Sequence, residues 1–269
     1  MKYLENAVRF LLKYWILALP LFVLTAIPAL ISGTGMSALQ IGGLWSKFSN
    51  PGQLTNVGNL FSTLPAVLPL IAGGGALGFL FQFVSIPATY GLVNKGLDTG
   101  NASLNDIGQA VSQNFVKYIM YFVGMLVLGI AVTIAFVIIT LILGLILSLL
   151  KGLGVFIMTL IMIAIVIVII VFAVLLSMWL SAMIVDGLDV VAAAKKSIEI
   201  VRTSFWMVLG ITILVAIVSG IIGAILSLLA VIPLLGPIIA SIVPTAQTFV
   251  MIVFLLSVYR ERTGKINAL

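Results

Sequence analysis

A chain of 269 residues with 63% hydrophobic side chains, 7% charged ones and a mean hydropathy of +1.37 has too little polar surface for a water-soluble globule. It holds no histidine and no cysteine, which excludes thiolate nucleophiles, Ser-His triads and His/Cys zinc sites. Its net charge of +6 comes without the interleaved aromatics of a stacking platform, so it points to lipid headgroups as partners and not to nucleic acid.

A bilayer core about 30 Å thick needs roughly 20 apolar residues of helix to cross it. Six stretches meet that need: Trp15 to Ile31, Leu68 to Leu92, Val116 to Leu147, Phe156 to Val185, Phe205 to Val231 and Ile238 to Tyr259. Nothing alternates with the period of a barrel strand, and lipid offers no partner to a free backbone amide, so the fold class is all-α. A polytopic bundle of six transmembrane helices in one integral domain follows, read as three hairpins over 1–95, 96–186 and 187–269.

The first stretch follows Lys2, Arg9 and Lys13 as a signal peptide would. It contains Pro20 and Pro28 and lacks a small-x-small cleavage site, so it is read as a retained helix. Ahead of it, Leu4, Ala7, Val8, Leu11, Leu12 and Trp15 share one helical face, opposite Lys2, Glu5, Arg9 and Lys13. The segment from Ser32 to Leu64 reads as an outer loop resting on the interface through Trp45 and Phe48, with Lys47 as its one charge. Leu54, Val57, Phe61 and Leu64 keep helical spacing within it.

The second stretch carries Pro69 and Pro87, with Gly73, Gly74, Gly75 and Gly78 as a close-packing face. A second amphipathic prelude follows, with Leu104, Ile107, Val111 and Phe115 opposite Asp106, Gln109, Gln113 and Lys117, and Ser103 and Asp106 at capping-box spacing. Without proline between Pro87 and Pro233, stretches three to five are expected to be long and unbroken. In the third prelude, Val191, Ala194, Ile198, Val201 and Phe205 oppose Lys195, Lys196, Glu199 and Arg202. Gly187 ends the helix before it, and Asp189 caps it. The triplets Gly96-Leu97-Asp98 and Gly187-Leu188-Asp189 suggest a repeated turn. Ser219, Gly223 and Ser227 make a small-residue row in stretch five, and Pro244 repeats the kink of Pro87 in stretch six.

With six crossings, eleven of the thirteen Lys and Arg residues fall on one set of faces, leaving Lys47 and Lys151 on the other. By the positive-inside rule both termini are cytoplasmic, in the inner membrane. All seven acids also fall in or beside the inner segments, which leaves the spans without the buried charge of proton relays or ion paths.

The run Ile184-Val185-Asp186-Gly187-Leu188-Asp189-Val190-Val191-Ala192-Ala193-Ala194-Lys195-Lys196-Ser197, then Ser204-Phe205-Trp206-Met207-Val208-Leu209-Gly210 and Tyr259-Arg260-Glu261-Arg262-Thr263-Gly264, carries a resemblance. Over Gly96 to Gly264 the chain resembles bacterial and archaeal proteins related to the membrane domain of glycerophosphoryl diester phosphodiesterases. The resemblance implies a six-helix prokaryotic membrane protein. In that family the domain is fused to a catalytic barrel; this sequence holds none, so phosphodiesterase activity is not expected of it.

Two function classes fit. In the first, a non-catalytic scaffold or regulatory subunit uses Arg9, Lys13, Lys117, Lys195, Lys196 and Arg202 against anionic lipid headgroups or a protein partner. In the second, a carrier for a lipid or apolar small molecule has Gln82, Gln247 and Thr248 facing a shared polar cavity beside the prolines, with the outer loop as lid. No cofactor and no metal is expected. A magnesium-dependent lipid enzyme, built on Asp186 and Asp189, is the weakest reading, because two carboxylates at that spacing commonly just cap helix ends.

Overall fold

The computed structural model describes residues 2–31, 57–148, 151–229, 232 and 235–265, and among these it is all-α, with no strand. Residues 32–56, with Trp45, Lys47, Phe48 and Leu54 of the expected loop, lie outside them, as do the side chains of Phe61, Leu64, Pro69 and Lys151. Helix α1 spans Lys2–Lys13 and α2 spans 19–31 after a 3-10 turn at Trp15–Ala18. Then come α3 (Val57–Thr99), α4 (Ile107–Ser148), α5 (Lys151–Leu175), α6 (Trp179–Val185), α7 (Val190–Ser227) and α8 (Leu235–Arg262).

Among the described residues, five spans are long and apolar enough to cross a membrane, and a sixth is added only if the bent pair Tyr3–Lys13 and Trp15–Ile31 counts as one. The first stretch is the short one: on its own it falls below the length of the others, and α1 meets it at 90°. This is a membrane protein. Helix α3 begins at Val57, so the last part of the expected outer loop is helical, in keeping with the spacing of Val57, Phe61 and Leu64.

The preludes differ. The first is bent away from its span and the third is set off by non-helical backbone at Ser204 (φ −125°, ψ 19°), whereas the second continues from Ile107 into α4 without a break. At 42 residues, α4 is about 63 Å long, twice the hydrocarbon thickness, so its start reaches beyond any bilayer core. The fourth stretch is not unbroken: α5 stops at Leu175 and α6 restarts at Trp179, with no proline or glycine responsible.

Packing divides the chain into two compact units that cut across the three expected hairpins. One contains Met1–Phe115, Ile211–Val258 and Ile266–Leu269; the other contains Val116–Gly210 and Tyr259–Lys265. In the first, Ala7, Phe10, Leu17, Leu92, Val93, Leu97 and Phe249 are fully buried, and the rings of Phe10 and Phe249 stand 6.2 Å apart. Gly96 makes room there, since a Cβ on it would come within 2.8 Å of Phe10 Cζ. Gly78 meets Pro28 and Gly74 is buried, whereas no described residue lies within 4 Å of the Cβ position of Gly73 or Gly75, so the glycine face expected in α3 packs at two of its four positions among the described residues. In the second unit, Met178, Ala182, Ala193, Val201 and Tyr259 are buried, and Gly124 lets α4 pass close to Val190 and Trp179.

The break between α5 and α6 is mended from α7. Met178 N–H, which a continuous helix would satisfy internally, donates to Ser197 Oγ at 3.1 Å, and Ser197 Oγ–H donates to Leu175 C=O at 2.8 Å. One fully buried hydroxyl thus satisfies both backbone groups that the break would otherwise orphan.

Candidate functional site

The charged side chains gather at helix ends, and several of them hold those ends. In the first unit, α3 ends on Gly100 (φ 68°), whose carbonyl accepts the Tyr14 hydroxyl at 2.5 Å. Asp106 accepts the Ser103 N–H at 3.0 Å, completing the expected capping box, and pairs with Lys95 at 2.8 Å. The Gly-Leu-Asp correspondence does not survive. Gly96 is inside α3 and packs on Phe10, while Gly187 (φ 66°) is a left-handed stop after α6, so the equivalent of Gly187 is Gly100.

In the second unit, α6 ends in a clasp. Lys265 Nζ donates to the Val185 carbonyl at 2.8 Å and pairs with Asp186 Oδ1 at 2.6 Å; the Tyr259 hydroxyl donates to Asp186 Oδ2 at 2.5 Å. Lys117 Nζ reaches the Ile184 carbonyl at 3.4 Å. Two ammonium groups at the last carbonyls of a helix complement its dipole. Burial alone would raise the Asp186 pKa, but the Lys265 ammonium and the Tyr259 hydroxyl outweigh it and hold the carboxyl below its ordinary value. Across the loop, Trp179 Nε1–H donates to the Val190 carbonyl at 2.7 Å, with Tyr121 edge-on to its ring.

A Schellman turn brings Lys265 to this place. Lys265 N–H bonds Arg260 C=O and Gly264 N–H bonds Glu261 C=O, with Gly264 at φ 76°, so the chain reverses after α8 and sends Lys265 back to α6. Gly264 just past the last periodic residue is the sequence signal for that turn; nothing local points to Asp186 as the target.

The expected lipid or partner residues fall into two groups. Arg9, Lys13, Lys195 and Arg202 are exposed, with Arg9 paired to Glu5 at 2.6 Å and Lys13 4.9 Å from the Tyr14 ring centroid. Lys117 and Lys196 are half-buried, the first on the α6 carbonyl and the second paired with Glu199 at 3.1 Å. The expected cavity residues do not share an environment: Gln82 is exposed on α3, while Gln247 and Thr248 are half-buried on α8.

The two carboxylates proposed for magnesium each hold protein. Asp186 uses both oxygens in the clasp, and Asp189 Oδ1 accepts the Ala192 N–H at 2.7 Å as the N-cap of α7. Among the described residues, no three acids group closely enough to hold a metal ion.

Comparison with curated proteins and with solved structures gave no match. A family model described as a domain of unknown function (DUF7847) matches residues 50–260, well over half of the sequence, and the chain belongs to that family.

Proposed function

We propose that this chain is a non-catalytic scaffold or regulatory subunit of the cytoplasmic membrane, with both termini inside, that presents basic helices to anionic lipid or to a protein partner. The single observation that carries the reading is the division of labour among the charges. Asp106, Asp186 and Asp189 fix helix ends, while Arg9, Lys13, Lys195 and Arg202 stand outward. Carboxylates spent on capping and clasping are poorly placed for acid–base work, whereas exposed cations suit a surface that holds headgroups or acidic partners. The exposure of Gln82 counts against the carrier reading, because it takes away one wall of the shared polar cavity.

Native mass spectrometry of the chain released from its own membrane tests this. The scaffold reading expects a stoichiometric protein partner or retained anionic lipid. Lipid or solute flux by the purified chain alone in proteoliposomes would overturn it in favour of the carrier. The absence of cysteine gives a clean background for the orientation: Lys195→Cys and Lys265→Cys are both expected to label from the cytoplasmic side only.

A further inference from the structure

Helix α1 has two apolar faces, which a helix that only capped a bundle would not need. Ala7 and Phe10 are buried, and Tyr14 beyond them is tied to Gly100, so this side belongs to the core. Val8 and Leu12 stand one turn apart on another side and are exposed, Leu12 at 71%; Trp15, at 58%, and Ile16 follow at the bend. At 100° per residue the stripe of Lys2, Glu5, Arg9 and Lys13 falls between the two apolar sides. Core inward, apolar side outward and charge between them is the arrangement of a helix at the rim of a bundle, lying along a water–lipid boundary. The 90° bend supplies the orientation, because a span that crosses the bilayer then leaves α1 in the membrane plane.

We infer that the face formed by Val8, Leu12, Trp15 and Ile16 is a docking surface for an anionic lipid leaflet, with Arg9 and Lys13 on the headgroup phosphates. The inference rests on the scaffold reading and deepens it by naming the chemistry that α1 meets. Charge selects the occupant. Among the described side chains the polar stripe holds two cations, Arg9 and Lys13, to one acid, Glu5 engages only part of the Arg9 guanidinium, and the Lys13 ammonium over the Tyr14 ring keeps donors free for a phosphate. Tyr14 and Phe10 fix the helix from the other side, so little ordering is left to do when the lipid arrives.

The test uses the full chain with a nitroxide at Leu12→Cys, reconstituted in vesicles of phosphatidylglycerol with phosphatidylcholine and in phosphatidylcholine alone. The label's accessibility to oxygen and to a water-soluble nickel chelate is read in each. Oxygen should dominate in the anionic vesicles, and Lys13→Gln or Arg9→Gln should each lower the ratio of lipid-buried to water-exposed label about fivefold, the equivalent of about 1 kcal/mol per basic residue at the surface. A label at Val127→Cys, exposed on α4, should keep its accessibility throughout and so report an intact fold. A Leu12 label equally open to water in both vesicles overturns the inference. A label equally buried in both and unmoved by the charge changes overturns headgroup recognition, and one shielded from both reagents overturns the lipid in favour of a protein neighbour. Flux by the purified chain would remove the scaffold reading without altering any of these readouts.

Discussion

The helix ends and the long middle of α4 and α5 follow opposite rules of packing. Around α6, Met178, Ala182 and Ala193 are sealed and a glycine sits where any side chain would collide. Along α4 none of the most apolar stretch is buried, and Val127, Ile130, Ile134 and Leu141 are all exposed. Water would penalise such a surface heavily, but hydrocarbon does not distinguish lipid tails from leucine, so in a bilayer the middle of α4 needs no protein around it. The difference teaches where the specificity of this fold lies. Apolar length keeps the middle in the membrane, and a few polar bonds and glycine contacts at the ends decide which helix meets which.

The largest effects should therefore come from close packing at the ends. A Cβ at Gly91 would stand 2.7 Å from Ala110 Cβ and from Asn114 Nδ2, and 3.0 Å from the Ala110 backbone, whereas Gly129 has nothing within 4 Å. Gly91→Leu should cost about 3 kcal/mol or more, seen as a lowered melting temperature in detergent, because overpacking here must move backbone. Gly129→Leu should change stability by less than about 0.5 kcal/mol. If Gly129→Leu proved as damaging as Gly91→Leu, a protein neighbour would have to cover α4, and the contrast between the two regions would fail.

Next in size is the mended break. Ser197→Ala leaves Met178 N–H and Leu175 C=O without their partner in a buried setting, at about 2 kcal/mol in all. Hydrogen exchange should show the loss centred on residues 175–180. A uniform loss of protection along α5 would mean that the break itself is unimportant.

The clasp is partly open to solvent, so its contribution is smaller. Tyr259→Phe should cost about 1 kcal/mol through the lost bond to Asp186. The pH dependence has a definite sign. Because the folded Asp186 carboxyl titrates below its ordinary value, its contribution is complete at neutral pH. It is lost progressively as pH falls from the usual carboxylate range, where the unfolded chain takes up its proton, down through the lowered folded value. Asp186→Asn should flatten that acid limb of the stability curve, and Lys265→Ala should weaken it in the same direction.

Much of this architecture was legible in the sequence because membrane length is a coarse signal. Five of the six stretches appear as spans, and the caps at Ser103, Asp106, Gly187 and Asp189 are where local chemistry puts them. What was hidden depends on partners distant in sequence. The break at Leu176–Met178 has no proline to announce it and is held by Ser197, and Lys265 reads as one more inner charge until Gly264 turns it onto Asp186. Letter matching misled for the same reason: Gly96 and Gly187 share a triplet, yet one makes room for Phe10 and the other adopts a left-handed turn. Of the six candidate cations, Arg9 and Lys196 pair with Glu5 and Glu199 at spacings a helix makes legible, whereas the reach of Lys117 to the Ile184 carbonyl appears only in the folded arrangement.

The smallest stability effect should arise where a large side chain stands outside the packed ends. Trp206 is 80% exposed, one turn beyond the exposed Arg202 and just past the irregular backbone at Ser204, with Phe205 edge-on to its ring at 5.4 Å. An indole beside a cation is the pairing found at membrane–water boundaries, where the ring meets the headgroup layer and its N–H stays wet. Trp206→Ala should accordingly shift stability by less than about 0.5 kcal/mol. The same variant should remove a component of the tryptophan emission that lipids brominated near the headgroup quench more strongly than lipids brominated at the chain end. A loss of several kcal/mol would instead place Trp206 among the residues that hold the fold, and equal quenching by both lipids would detach it from the boundary. Small energetic weight combined with a fixed depth is what distinguishes a side chain that positions the protein in its membrane from one that packs the protein against itself.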